Sequence, residues 1–481
     1  MKNYSIKELR SALDTKEVSS VEVFEHFKSE IETHDHKINS FITKTYDQAL
    51  AQAQKADEVI AKGEQSMLTG IPIAHKDLFC TKGIKTTAAS KMLENFVSPY
   101  DATVVEKLDQ AGVMVLGKVN MDEFAMGGTN RTSHFGTVHN PWNFDHVAGG
   151  SSGGSAAAVS AGFVLAATAS DTGGSTRQPA SFCNLTGIKA TYGRISRWGM
   201  IPFACSFDQA GVIAKTAEDC AYMFESMAGF DAKDSTSHNI SVPKYSGLLN
   251  QSIEGLRIGI PKEFLSPDLD PAIADVIQTA LKQYEAMGAT LVEVTLPNTD
   301  VVVPVYYTIA PAEASSNLAC FDGVRYGYRC DDPKDLQDLY MRSRAEGFGD
   351  EVKKRIFMGT YALSASAYDA YYVKAQKVRR LVANDYNSVL SQVDVIMGPT
   401  APELPFRQDS TGSTQVYLSD IFTVGANLAG LPAMSIPAGF VNGLPVGLQI
   451  IGRAFDEAKI LNVAHAYQRE TDWHTKQPKF D

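Results

Sequence analysis

Four glycines and three serines crowd into VAGGSSGGS (residues 147 to 155), and the chain then turns apolar as AAAVSAG. Glycine loses more conformational freedom on folding than any other residue, so such a cluster beside a helix-forming run needs a reason. A flexible linker would stay polar on both sides, whereas SAAAVSAG favours helix. A phosphate-binding loop needs a lysine followed by Ser or Thr after its glycines, and none follows here. Gly150-Ser151-Ser152-Gly153-Gly154 also satisfies G-x-S-x-G, the elbow that presents the nucleophile of α/β-hydrolases. That motif belongs between a strand and a helix. The irregular, proline-containing SHFGTVHNPWNFDHVA upstream predicts no strand.

A second glycine turn follows at DTGGS (171 to 175). A helix of about ten residues rises roughly 15 Å, and a strand of about six, FVLAAT, returns roughly 20 Å. The second turn therefore comes back beside the first, bringing Ser151 and Ser175 to one edge of a sheet. Glycines at both turns let backbone N–H groups approach a reacting oxygen, as an oxyanion hole requires. The plainer reading makes Ser175 the N-cap of a helix opening at TRQPAS and Ser151 a turn residue. A serine nucleophile also needs a base, and none of the ten histidines lies near either turn in sequence. Lys76, beside His75 at the end of GIPIAH, becomes such a base if burial or neighbouring cations keep it neutral; otherwise it is a solvated surface charge.

These residues must be positioned by the surrounding elements. The first sixty or so residues read as helices, with Ser19 and Glu22 forming a capping box ahead of a face of Val21, Phe24 and Phe27. YDQALAQAQKADEVIAKG is a second helix stopping at Gly63. GIPIAHKDLF (70 to 79) reads as a strand leading into a turn, and TVVEKLDQAGVMVLGKVN (103 to 120) as helix then strand, broken at Gly112. The alternation returns at LRIGIPKEF, DPAIADVIQTALKQYEAMGA, TLVEVTLP, VDVIMGPT and PVGLQIIG, before a closing helix from Asp456 to about Arg469. Such alternation predicts an α/β protein with one large sheet covered by helices.

The length of 481 residues suggests about three domains. The continuous alternation favours one domain over residues 1 to 481 instead, with a helical segment over about 1 to 65 and a core over about 147 to 200. GFDAKDSTSHNISVPKYSG (229 to 247) is the best boundary candidate or a surface loop. A composition of 44% hydrophobic and 21% charged residues supplies a large core. The net charge of −11 argues against a chain that grips nucleic acid through its own field. Six cysteines without metal-binding spacing, no signal peptide and no membrane-length apolar run point to a reduced, cytoplasmic setting.

GGSSGGSAAAVSAG followed by DTGGSTRQPASFCNLTGIKATYGR closely resembles the amidase signature family. GIPIAHKD, GKVNMDEFAMGGTN, SFDQAGVIAKTAEDCA and LAGLPAMSIPAG with GLPVGLQIIG stand in the expected order over essentially the whole chain. The resemblance implies a large mixed sheet with helices on both faces and a Ser-cis-Ser-Lys triad. Ser175 would be the nucleophile, Ser151 the bridging serine and Lys76 the base, with the amides of Thr172, Gly173, Gly174 and Ser175 as oxyanion hole. Several positions depart from the usual pattern: His75 and Leu78 flank the lysine, Ala190 replaces a proline, and FDQAGVIAKT stands in place of LDQIGPITRT.

Within the family the chain is most similar to the glutamine-hydrolysing subunits of tRNA-dependent amidotransferases. NMDEFAMGG, APAEASSNLACFDGVRYGYR, RAEGFGDEVKKRIFMGTYALSASAYDAYYVKAQKVR and TVGANLAGLPAMS carry that similarity. It implies free glutamine as substrate, its α-carboxylate on Arg355, its α-amino group on Asp420, and Tyr306 orienting it. It further implies no cofactor or metal in this chain. A B subunit would use ATP and Mg²⁺ to amidate mischarged Glu-tRNA(Gln) or Asp-tRNA(Asn) with the released ammonia, and a small C subunit would complete a heterotrimer. A stand-alone amidase acting on small amides is the alternative.

Overall fold

A computed structural model of the chain describes residues 1, 3–265, 269–409 and 412–479. Its strands, in chain order, are β1 (Phe41–Lys44), β2 (Pro72–Lys76), β3 (Met114–Val119), β4 (His139–Asn140), β5 (Asn143–Val147), β6 (Ala166–Asp171) and β7 (Thr186–Lys189). They continue with β8 (Gln209–Ala214), β9 (Arg257–Pro261), β10 (Thr290–Val294), β11 (Val395–Pro399), β12 (Ala433–Val441) and β13 (Leu444–Ile451). Eleven of them form one sheet in the order β1-β3-β2-β6-β8-β7-β12-β13-β11-β9-β10, while β4 and β5 pair apart. The β3-β2-β6 and β11-β9-β10 neighbours run parallel and the intervening pairs antiparallel, so the sheet is mixed and the protein α/β.

Local signals read from the sequence act as expected at several places. Ser19 and Glu22 cap the helix Ser20–Ile38 reciprocally. The helix Tyr46–Lys62 ends at Gly63, whose φ of 73° an L side chain rarely adopts. Other readings need correction. The N-terminal segment is not purely helical, because β1 lies between these two helices and extends the sheet edge against β3. The buried stripe of the helix Ser20–Ile38 runs through Val23, Phe24, Phe27 and Ile31, and Val21 only flanks it. The strand expected at FVLAAT starts three residues later, at Ala166. A strand does precede the glycine–serine turn, but β5 belongs to the small ribbon and not to the main sheet.

Alternation alone passes over β8 and β12, because both strands are buried almost throughout and show little polar alternation. β12 nevertheless carries a signal of its own. Its hairpin to β13, the strand expected at PVGLQIIG, turns at Asn442-Gly443. Both residues have positive φ, the pairing that two-residue hairpin turns favour. Between Ala228 and Tyr245 the chain forms no helix or strand. It is fastened instead, with Asp234 accepting from the Arg197 amide at 2.8 Å and the His238 amide donating to the Gly193 carbonyl at 2.9 Å. Among the described residues no helix is long and apolar enough to cross a membrane.

The site region sits where the parallel strands β2 and β6 end. β2 finishes in Lys76 and β6 in Asp171, so both carboxyl-terminal ends open toward the glycine turns. In open α/β sheets this end of the strands is the usual place for a ligand.

Candidate active site

Every residue from 147 to 191 is buried. Within this block the helix Gly153–Ser160 grows directly out of the first glycine turn and packs its alanines in the core. The turn can approach its neighbours only because it lacks side chains. A Cβ on Gly150 would lie 2.0 Å from Asp122 Oδ2, and one on Gly154 2.3 Å from the Asn120 carbonyl. The peptide bond between Gly150 and Ser151 is cis. The Ser152 amide donates to the Ser175 carbonyl at 3.2 Å, which ties the first turn to the second.

Lys76 is fully buried. Its Nζ lies 2.8 Å from each of three hydroxyls, Ser151 Oγ, Ser152 Oγ and Ser170 Oγ. Burial pushes this ammonium down to about 7, against the pull of Asp122, Asp171 and Asp208. The backbone amide of Lys76 donates to Thr168 Oγ1 at 3.0 Å, and His75 Nδ1 lies 3.3 Å from the same oxygen. Burial, aided by Lys118, lowers His75 to about 3, so the imidazole beside the lysine is uncharged at neutral pH.

Asp171 shapes the second turn. Its carboxylate accepts from the amides of Gly174 at 2.9 Å and Thr176 at 3.2 Å, and from both Nε and Nη2 of Arg177. Burial alone would raise its pKa, but the Arg177 guanidinium holds it below the usual carboxylate range. The Gly174 amide is thus committed to Asp171. The amides of Gly173 and Ser175 have no protein acceptor among the described residues. Thr172 is anchored by its hydroxyl, which donates to Asp208 Oδ1 at 2.7 Å. Ser175 is 8% exposed while Lys76 and Ser151 are sealed at 0%, so of these three only Ser175 faces an approaching molecule. It does not cap the following helix Arg177–Phe182, whose N-cap is Thr176.

A second cluster adjoins the first through two consecutive tyrosines. Tyr306 packs on the turn, so that a Cβ on Gly173 would sit 2.7 Å from its ring. Tyr307 stands edge-on to it at 5.0 Å and donates its hydroxyl to Asp420 Oδ2 at 2.8 Å. The Arg355 guanidinium lies over the rings of Phe203, Tyr307 and Tyr417 at 5.4 to 5.5 Å. Its Nε donates to Glu351 at 2.8 Å, and the Tyr417 hydroxyl donates to the same carboxylate oxygen at 2.7 Å. Neither Nη of Arg355 meets a protein acceptor among the described residues, which leaves that edge of the fork open. Burial pushes Asp420 up to about 7, although Tyr307 and Arg355 oppose it.

Arg355 reaches this place because the helix Asp350–Ala362 buries one stripe, Val352, Arg355, Gly359 and Ala362. Gly359 lets that helix touch the helix Val302–Asn317, since a Cβ there would lie 1.9 Å from the Pro311 carbonyl. Glu123 fastens the start of the Arg355 helix by accepting from the Gly349 amide at 2.9 Å.

The structure therefore gathers Lys76, Ser151, Thr172, Gly173, Gly174 and Ser175 at the carboxyl-terminal ends of the interior strands β2 and β6, with Tyr306 against the second turn and Arg355 and Asp420 beyond it. Sequence reasoning misses Ser170, Asp171, Tyr307 and Glu351, and meets Ser152 only as the serine of a hydrolase elbow, not as a partner of Lys76. Ser170 is hidden by the misplaced strand, since in β6 it shares a face with Thr168 and so points at Lys76. No group of three or more His, Cys, Asp or Glu that could hold a metal occurs among the described residues.

Comparison with known proteins decides the family. Residues 22–461 match the family described as Amidase. The chain belongs to the amidase family. This amidase is 60% identical over 480 residues to the A subunit of the glutamyl-tRNA(Gln) amidotransferase of Saccharophagus degradans, covering 99% of each chain. It is 59% identical to the protein of the same name from Methylococcus capsulatus, again over 99% of both. Among solved structures, the A subunit of the glutamyl-tRNA(Gln) amidotransferase of Thermotoga maritima superposes with a TM-score of 0.83 at 38% identity, covering 100% of this amidase and 98% of that chain. A bacterial aryl acylamidase of the amidase signature superposes with 0.86 at 26% identity, covering 99% of each chain.

Proposed function

We propose that this amidase is the glutamine-hydrolysing subunit of a tRNA-dependent amidotransferase, with Ser175 as nucleophile, Ser151 as proton relay and Lys76 as base. One observation carries the chemistry: a sealed lysine, held near neutrality, lies 2.8 Å from Ser151 Oγ. The Ser152 hydroxyl donates to the Ser170 carbonyl at 3.2 Å and so can only accept from Lys76. A neutral lysine has two N–H donors and one lone pair. With the donors directed at Ser152 and Ser170, the lone pair faces Ser151, whose hydroxyl then donates to the lysine and keeps a lone pair to take a proton from Ser175 during the reaction.

In this reading Ser175 Oγ attacks the side-chain carbonyl carbon of glutamine while its proton passes through Ser151 to Lys76. The negative charge gathers on the carbonyl oxygen, where the free amides of the second turn receive it. As the C–N bond breaks, the proton returns along the same relay to the leaving nitrogen, and ammonia departs. Water then hydrolyses the acyl-enzyme, releasing glutamate and restoring Ser175. Arg355 offers an open fork to the α-carboxylate, Asp420 receives the α-ammonium, and Tyr306 lines the path between them and the turn.

The role within a complex is supported by the 60% identity, along nearly the whole length, to a protein named as the A subunit of an amidotransferase. Ammonia would pass to a B subunit that uses ATP and Mg²⁺ to activate Glu-tRNA(Gln) or Asp-tRNA(Asn), with a C subunit completing the heterotrimer in the cytoplasm. The test is Ser175→Ala in the assembled complex. Glutamine-driven tRNA amidation is expected to vanish while amidation driven by ammonium salt persists. Failure of ammonium to rescue would move Ser175 into assembly or the second site, and continued use of glutamine would move the nucleophile elsewhere, to Ser152 first.

A further inference from the structure

Beside the lysine–serine cluster, which it meets at Asp208, a cleft of about 1120 Å³ opens between the segments 91–100, 197–208 and 320–329. Its floor is apolar, with Met92, Leu93, Met200 and Ile201. That volume exceeds the roughly 300–1,000 Å³ of small-molecule pockets. Its rim carries Tyr100, Trp198 and Tyr326, exposed by 43%, 43% and 59%. Large exposed aromatics interleaved with arginine are the residue types that dominate protein–protein hot spots.

The charge of the cleft runs against that of the whole chain. Lys91, Arg197, Lys233, Arg325 and Arg329 line it, against two carboxylates, Asp208 and Asp234. Asp208 is buried and already accepts from Thr172, and Asp234 is held by the Arg197 amide. Two of the cations make no ion pair among the described residues. Lys91 lies over the Tyr328 ring at 4.2 Å, and Arg329 donates only to backbone carbonyls, at 2.6 Å to Gly323. A net charge of −11 makes an excess of free cations in one groove a local exception.

We propose that this cleft docks an acidic segment, bearing aliphatic or aromatic anchor residues, from a partner subunit of the assembly; the proposal rests on the reading of the chain as one component of a complex. Single-stranded nucleic acid would also be drawn by cations and aromatics. The acidic chain as a whole repels phosphate and the floor of Met92, Leu93, Met200 and Ile201 suits apolar anchors, so a protein segment is the better fit.

The experiment compares the wild type with Lys91→Glu/Arg329→Glu and with the remote control Lys62→Glu. Assembly with the partner subunits is read by titration, together with hydrogen exchange of residues 91–100 and 320–329. Binding of a short fluorescein-labelled peptide alternating Glu with Leu and Phe to the chain alone is read by anisotropy and Trp198 fluorescence. Protection of both segments in the complex is expected, and the double variant is expected to weaken assembly and peptide binding by about tenfold or more, the scale of a hot spot. The control is expected to match the wild type, and glutamine hydrolysis by all three chains to stay alike. Unprotected segments, equal affinities in all three chains, or tighter binding of oligo(dT) than of the peptide would each overturn the proposal. A wild-type chain that binds the acidic peptide in the cleft but assembles with no other chain would overturn the reading as a component of a complex and leave the groove's preference standing.

Discussion

The lysine–serine cluster and the arginine–aspartate cluster lie side by side but are built by different means. The first is made of strand ends and backbone turns inside a block that is buried from 147 to 191. Its geometry is over-determined: Lys76 has three oxygen neighbours, the Asp171 carboxylate accepts five hydrogen bonds, and the glycines leave no room for a side chain. The second cluster is made largely of side chains on helices, with Asp420 in the turn after one of them, held by aromatic faces and by the shared carboxylate Glu351. Only one stripe of the helix Asp350–Ala362 is buried. A proton relay tolerates little displacement, so it is built where packing fixes the backbone. A binding contact to a whole substrate tolerates more and can rest on helix faces.

Substitutions can break this contrast. With Lys76 as the proposed base, Lys76→Ala is expected to lower glutamine hydrolysis by about 10²–10⁴-fold, with circular dichroism unchanged. Acyl-enzyme formation at a near-normal rate would remove Lys76 from the mechanism. In the second cluster, Arg355→Ala is expected to raise KM for glutamine by about ten- to a hundredfold, because a hydrogen bond to a charged group contributes about 1.5–3 kcal/mol. Its kcat should change far less, and an unchanged KM would displace the α-carboxylate from Arg355.

The two clusters also titrate in the same range for opposite reasons. Lys76 is lowered to about 7 and, as the proposed base, works in its neutral form, so kcat is expected to rise with pH through about 7. Asp420 is raised to about 7 and, as the proposed partner of the α-ammonium, binds as the carboxylate, so KM is expected to fall over the same interval. Asp420→Asn should remove the KM titration and leave that of kcat, which pH profiles of both constants will separate. The smallest effect belongs to Ser170→Ala. It deletes one of three oxygens around Lys76 and is expected to lower kcat by about tenfold or less, a single hydrogen bond being worth about 1 kcal/mol.

The legibility of the two clusters differs in the same way. The glycine–serine turns announce themselves through composition, and a reach estimate brings Ser151 near Ser175. Yet Ser170 stays invisible when its strand is drawn three residues early, because wholly buried strands lack the alternation that fixes a register. Arg355 reads as a solvated charge in DEVKKRI until the spacing Val352, Arg355, Gly359, Ala362 is noticed as one helical stripe. Tyr307 and Glu351 carry no signal of their own, since their importance lies in what they touch across the chain. The hairpin at Asn442-Gly443 is legible from its turn alone.

The sealed lysine has a consequence for the stability of the whole molecule. Its pKa is about 7 in the folded chain and 10.5 as the ordinary value, so between these limits the unfolded chain binds a proton that the native one does not. Stability from this group therefore rises with pH across that window, and the full penalty, on the order of 5 kcal/mol, applies at and below its lower end. Lys76→Met is accordingly expected to melt at a higher temperature than the wild type at pH 7, less the cost of the hydroxyls left with one partner fewer, and to lose that advantage as the pH approaches 10.5. Scanning calorimetry at both ends of the window measures the difference. The proposed catalytic base is thus a residue that its fold would be firmer without.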